Sequence, residues 1–206
     1  MTIRTYFTRR APSGTPERTV FTESTPPVRV AHTQGEDKAS RGKGLHILAL
    51  LRLATGFIFL WAFLDKTFGL GFSTPADRAW VAGGTPSQGF LLSDGVTGPL
   101  KGLFTLIASP ASDILFQLGM LGIGMAVMLG IGLRVSAVVG SFLMMMMYLA
   151  EWPFAANTTS TNPLVDYHII YALTLVLLAA SSAGDTWGAG RPWRKLPIVH
   201  RRPWLL

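Results

Sequence analysis

Leu164–Ala180, LVDYHIIYALTLVLLAA, is apolar enough to cross a bilayer, yet it opens with Asp166, Tyr167 and His168. Ionisable side chains at that depth are costly unless they face a packed interior or water, so they mark a candidate functional site. The stretch therefore sets two expectations together: a helix in lipid, and a polar cluster at one end of it.

Composition agrees with lipid. Of 206 residues, 49% are hydrophobic and only 14% charged, and mean hydropathy is +0.38. A soluble domain carries roughly 25% charged residues, and the apolar residues here fall in long runs. The net charge of +7 does not point to nucleic acid, because most Lys and Arg lie before Leu45 or after Ala183, flanking the apolar part. That distribution fits basic tails beside a membrane, with attraction to anionic lipid. There is no cysteine, which excludes disulfides, thiolate nucleophiles and cysteine-ligated iron–sulfur clusters.

Working outward, three further apolar runs precede the quoted one. The expectation is an all-α membrane protein, a four-transmembrane-helix bundle with spans at about 45–64, 114–133, 135–152 and 164–182. Residues 1–43 read as a disordered basic tail, 44–190 as the membrane domain and 191–206 as a second basic tail. Residues 65–112 hold repeated Gly and Pro but also Trp80, Phe90 and Leu100–Ile107. They are expected to form an extracytoplasmic lid with one short amphipathic helix near Leu100–Ala108. In the second span Gly122, Ala126 and Gly130 have the spacing that lets helices approach closely. Met144–Met147 read as packing filler, because four adjacent residues point all round a helix. The basic residues then place both termini and the Arg134 turn on the cytoplasmic side.

With that topology, Asp65, Lys66, Glu151, Trp152, Asp166, Tyr167 and His168 come to one outer level. His168 and Tyr171 share a helix face, whereas regular helix geometry puts Asp166 about 200° away from His168. The two are thus not expected to face the bundle centre together. His168, Asp166, Glu151, Lys66 and Asp65 are the candidate proton-handling groups. A quinone headgroup needs such partners, and Tyr171, Tyr167, Trp152, Trp61 and Arg52 are the candidate residues for holding it. Plainer readings stand beside these. Tyr and Trp favour membrane interfaces in any protein, Asp166 suits a helix start, and Arg52 can snorkel to headgroups or pair within the bundle. The histidines His32, His46, His168 and His200 are too dispersed for a bis-histidine haem, and no metal-ligand spacing is present.

The first span, LRLATGFIFLWAFLDKTFG, resembles the opening of the DoxX family at Leu51–Arg52, Gly56, Phe59–Leu60 and Lys66. The last span with its glycine-rich exit, LVDYHIIYALTLVLLAASSAGDTWGAGR, is similar to that family's final helix. TPADRAWVAGGTPSQGFL resembles the branch related to DoxD, the membrane subunit of thiosulfate:quinone oxidoreductase. The resemblance covers about Leu45 to Pro197. It implies a multi-pass subunit in the bacterial cytoplasmic membrane that passes electrons from thiosulfate or a related sulfur compound to quinone. Its partners would be membrane lipid and a soluble or membrane redox protein; an oligomer is compatible, and nucleic acid is not expected. Neither haem nor an iron–sulfur cluster is expected on the chain. The alternative is a non-catalytic scaffold that docks a redox enzyme or respiratory complex. A transporter is disfavoured, since no broken helix or inverted repeat is evident.

Overall fold

The structure, a computed structural model, describes residues 33–154 and 162–206. Among these every regular element is helical. Four long elements carry the architecture: α1 (Thr33–Phe68), α4 (Pro110–Leu129), α5 (Leu133–Ala150) and α6 (Tyr167–Ala180). Short helices α2 (Gln88–Leu91) and α3 (Lys101–Ile107) lie in the connection after α1, and α7 (Gly190–Arg194) and α8 (Pro197–Arg201) follow α6. Three segments are long and apolar enough to span a membrane: Gly42–Phe68, Pro110–Leu129 and Leu133–Ala150. α6 is equally apolar but only 14 residues long, about 21 Å against a hydrocarbon core of about 30 Å.

The helix boundaries differ from expectation for identifiable reasons. α1 is already helical at Thr33, within the stretch expected to be a disordered tail; the rest of that stretch, 1–32, lies outside the described residues. α4 begins at Pro110 rather than Ile114, because Ser109 and Ser112 cap each other's backbone N–H and Pro110 occupies the first turn. Proline is tolerated there, where its missing N–H has no intrahelical partner to lose. α6 begins at Tyr167 because Asp166, in an extended conformation, accepts hydrogen bonds from the first helical N–H groups.

α1 packs along α4, and α5 along α6, around a core that includes Phe59, Met120, Ile123, Val127, Met144, Leu175 and Leu178. The close approach of α1 and α4 occurs at Gly124, not at Gly122. A Cβ on Gly124 would fall 2.7 Å from the Leu60 backbone nitrogen, whereas one on Gly122 would meet nothing within 4 Å. Of the expected Gly122–Ala126–Gly130 stripe, Gly122 is therefore not at the α1 contact, while Gly130 lies close to Arg52 of α1 and to Gly184. Gly124 lies two residues from Gly122 and so on a different helix face. The methionine run distributes as expected: Met144 is buried in the main core, Met146 packs in a second cluster and Met145 is exposed.

The connection 69–109 is bound to the ends of α1, α4 and α5. Leu91, Val96 and Phe104 bury against Ala150, and the Thr97 N–H donates to the Ala150 carbonyl at 2.9 Å. α3 covers the expected Leu100–Ala108 helix almost residue for residue. Buried Asp113 at the start of α4 accepts from the N–H groups of Ser87 and Gln88 at 2.7 and 2.8 Å.

Candidate functional site

Asp166 and His168 form the polar cluster at the connection end of the bundle. His168 is 1% exposed, and its Nδ1 lies 2.7 Å from Asp166 Oδ2. Oδ1 of the same carboxylate accepts from the backbone N–H of His168 (3.0 Å) and Ile169 (3.3 Å). The expectation that these two residues diverge fails, because Asp166 is the extended residue before the helix and the 100° step does not apply to it. One carboxylate thus caps α6 and orients the imidazole. In the tautomer whose Nδ1–H donates to Asp166, Nε2 presents a lone pair. Nε2 is buried and has no protein hydrogen-bond partner among the described residues. An unpartnered buried polar atom in a well-packed core needs an explanation, and a functional role is one.

Three more expected residues join this group. The Tyr167 ring centroid lies 4.0 Å from that of His168 and 5.9 Å from that of Tyr171. The Tyr167 hydroxyl donates to Glu151 Oε2 at 3.3 Å, tying α6 to the end of α5. Tyr171 continues inward to Phe59 of α1, 6.5 Å between centroids. Glu151, Asp166, Tyr167, His168 and Tyr171 therefore make one contiguous polar-aromatic group.

The remaining expected residues serve the connection or the opposite end. The Asp65 carboxylate accepts from the N–H groups of Phe72 (3.1 Å) and Ser73 (3.0 Å) and from the Ser73 hydroxyl (2.6 Å). Its partners are thus the chain just after α1. Lys66 is half-buried beside it and makes no ion pair among the described residues. Trp61 meets Phe72 edge-on at 5.1 Å. Trp152 packs on Gly98, whose positive φ of 80° and lack of a Cβ leave room for the indole. These aromatics hold the connection down, and among the described residues neither tryptophan pairs its ring with His168.

Arg52 lies about 20 Å along α1 from Asp65, at 1.5 Å per residue. It is fully buried, and its guanidinium donates to the carbonyls of Val127 (2.9 Å) and Met128 (2.5 Å) at the end of α4. It also donates to Trp187 (2.8 Å) and Thr186 (3.4 Å) in the segment after α6. Its place among the quinone-holding candidates does not fit this position. A guanidinium satisfies carbonyls that the last turn of a helix leaves without partners, so Arg52 pairs within the bundle rather than snorkelling, and does so with carbonyls. A cavity of about 50 Å³ lies at this end too, lined by Arg134, Ser182, Asp185, Trp193 and Arg194 among others.

Sequence reading passed over Gln117, which is fully buried in α4 and donates from Nε2 to Thr67 Oγ1 at 3.1 Å; its Oε1 has no partner among the described residues. A lone amide in an apolar span was the available signal. No group of three or more acidic, His or Cys side chains among the described residues could hold a metal. Compared with models of protein families, with curated proteins and with solved structures, the chain matches none.

Proposed function

We propose that this chain is the membrane subunit of a quinone-linked oxidoreductase, with His168 as the group that exchanges a proton with the quinone headgroup. The observation that carries the reading is the buried Asp166–His168 pair, whose Nε2 has no hydrogen-bond partner among the described residues. Asp166 fixes the ring, and in this reading Nε2 exchanges a proton with a bound oxygen. The Tyr167 ring lies against that of His168, and Tyr171 against Tyr167, which makes them the aromatic neighbours of the imidazole. A quinone, when bound, supplies the two-electron chemistry; the chain supplies orientation, proton handling and exclusion of water.

In this reading α6 completes a four-span bundle. Exposed apolar Leu164 and Val165 extend its lipid-facing length beyond the helix itself. Residues 69–109 act as a cover on the outer side, and both termini are cytoplasmic, in accord with the basic residues. The resemblance to DoxX and DoxD proteins suggests a sulfur compound such as thiosulfate as electron donor. The test is a lipid extract of the purified protein together with quinol formation in membranes. Bound quinone in the native chain, lost with turnover in His168→Gln, supports the reading; full turnover in that variant removes His168 from the mechanism.

One observation favours the scaffold reading. α1 begins nine residues before the span Gly42–Phe68, a projection of about 14 Å at 1.5 Å per residue that a partner could grip. Purification from native membranes separates the two: a stoichiometric redox partner with no quinone in the extract favours the scaffold.

A further inference from the structure

Residues 183–206, of which 191–206 are expected to be a basic tail, fold back against the bundle. The Ala189 N–H donates to the carbonyl of Leu129, the last residue of α4, at 2.8 Å. The Arg134 N–H, in the first turn of α5, donates to the Leu206 carbonyl at 2.7 Å, and the Arg134 side chain donates to Pro203 at 2.8 Å. Internally, Trp193 Nε1 donates to Leu205 at 2.7 Å and Val199 is 1% exposed. Because α4 and α5 are both long and apolar enough to span, these bonds place the segment at the boundary of the hydrocarbon layer.

Its outer surface combines two kinds of side chain. Trp204 is 56% exposed and Ile198 58%, and Leu196 and Trp187 are exposed as well. Between them stand exposed Arg191, Lys195, Arg201 and Arg202. The one acid in the segment, Asp185, is already paired with Arg194, so the four exposed cations face outward without an acidic neighbour from their own segment. Large apolar groups among cations at a fixed interfacial depth match a negatively charged lipid surface: apolar side chains enter the acyl boundary while ammonium and guanidinium groups meet phosphates.

We propose that residues 183–206 form an interfacial plate that binds anionic lipid headgroups of the leaflet at the α4–α5 turn end. Ile198 and Trp204 dip into the acyl boundary, and Lys195, Arg201 and Arg202 contact phosphates. The proposal is independent of the quinone reading, since it uses none of the residues near His168.

The chain has no cysteine, so Ile198→Cys can carry a single environment-sensitive fluorophore on the full-length protein. The labelled protein is placed in nanodiscs of phosphatidylcholine alone or mixed with phosphatidylglycerol, where aqueous iodide reaches both faces. Blue-shifted, iodide-protected emission is expected with phosphatidylglycerol. Replacing Lys195, Arg201 and Arg202 by Gln should weaken the preference for phosphatidylglycerol roughly fivefold per charge removed. A label at Trp204→Cys should respond alike, which guards against a local effect of either substitution. Equal iodide access in both lipids overturns the proposal. So does equal protection in both, which would mean burial without charge recognition. Protection seen only when other membrane proteins are added assigns the surface to a protein partner and overturns it as well.

Discussion

The two ends of the bundle each bury an ionisable side chain, and they treat it in opposite ways. At the turn end Arg52 is enclosed by backbone carbonyls from two segments, and its guanidinium tips are spent on holding α4 to residues 186–187. At the connection end His168 has one nitrogen fixed by Asp166 and the other unpartnered among the described residues. Burial alone does not separate structure from chemistry. The position of the open atom does: among the described residues Arg52 leaves only Nε without a partner, on the stem side of two engaged NH2 groups, whereas His168 leaves Nε2 at the far edge of its ring.

The comparison breaks most visibly at Arg52. Arg52→Leu should destabilise the protein by at least about 3 kcal/mol, since several charged hydrogen bonds are lost and carbonyls are left bare. Arg52→Lys should not restore it, because one ammonium cannot reproduce the planar fork. Thermal unfolding in detergent measures both, and a Lys variant of native stability would mean that charge alone suffices. Next in size is the helix contact that carries Arg52 to α4. Gly124→Ala should cost about 1–3 kcal/mol by overpacking against the Leu60 backbone, whereas Gly122→Ala, facing open space, should be neutral or slightly stabilising. Equal effects at both glycines would remove the proposed α1–α4 contact.

At the other end the effects on stability are smaller and those on function larger. Asp166→Ala should cost about 1 kcal/mol through loss of the helix cap. It should also release the His168 ring, visible as a changed imidazole resonance in NMR. Asp166→Ser keeps a cap but not the carboxylate, so it should recover stability without recovering quinol formation; recovery of both would show that orientation by Asp166 is unnecessary. Tyr167→Phe removes one partly exposed hydrogen bond to Glu151 and should change stability by no more than about 1 kcal/mol. A larger loss would make that bond a principal tie between α5 and α6.

Much of this was open to reading from the chain. Apolar runs of bilayer length fixed the helical class and three spans, because in lipid a backbone must satisfy its own hydrogen bonds. The short helix near Leu100 and the grouping of Glu151, Tyr167, His168 and Tyr171 also followed from pattern and topology. The differences have local causes. Proline fits a first turn, so α4 starts at Pro110 before its apolar run, and Asp166, as a capping residue, lies outside the helix and escapes its 100° step.

Sequence by itself determined the environment: composition and run length require lipid contact, and the basic residues gather at the edges of the apolar part. It also picked out which side chains were too costly to bury without a reason. Tertiary structure alone decided what each reason was. Arg52 and His168 look alike as lone ionisable residues in apolar runs, and only the arrangement of neighbouring helices determines whether carbonyls meet them. Hydrogen bonds are short and directional, so partners brought from 75 or more positions away, as Val127 is to Arg52, leave no periodic trace in the chain.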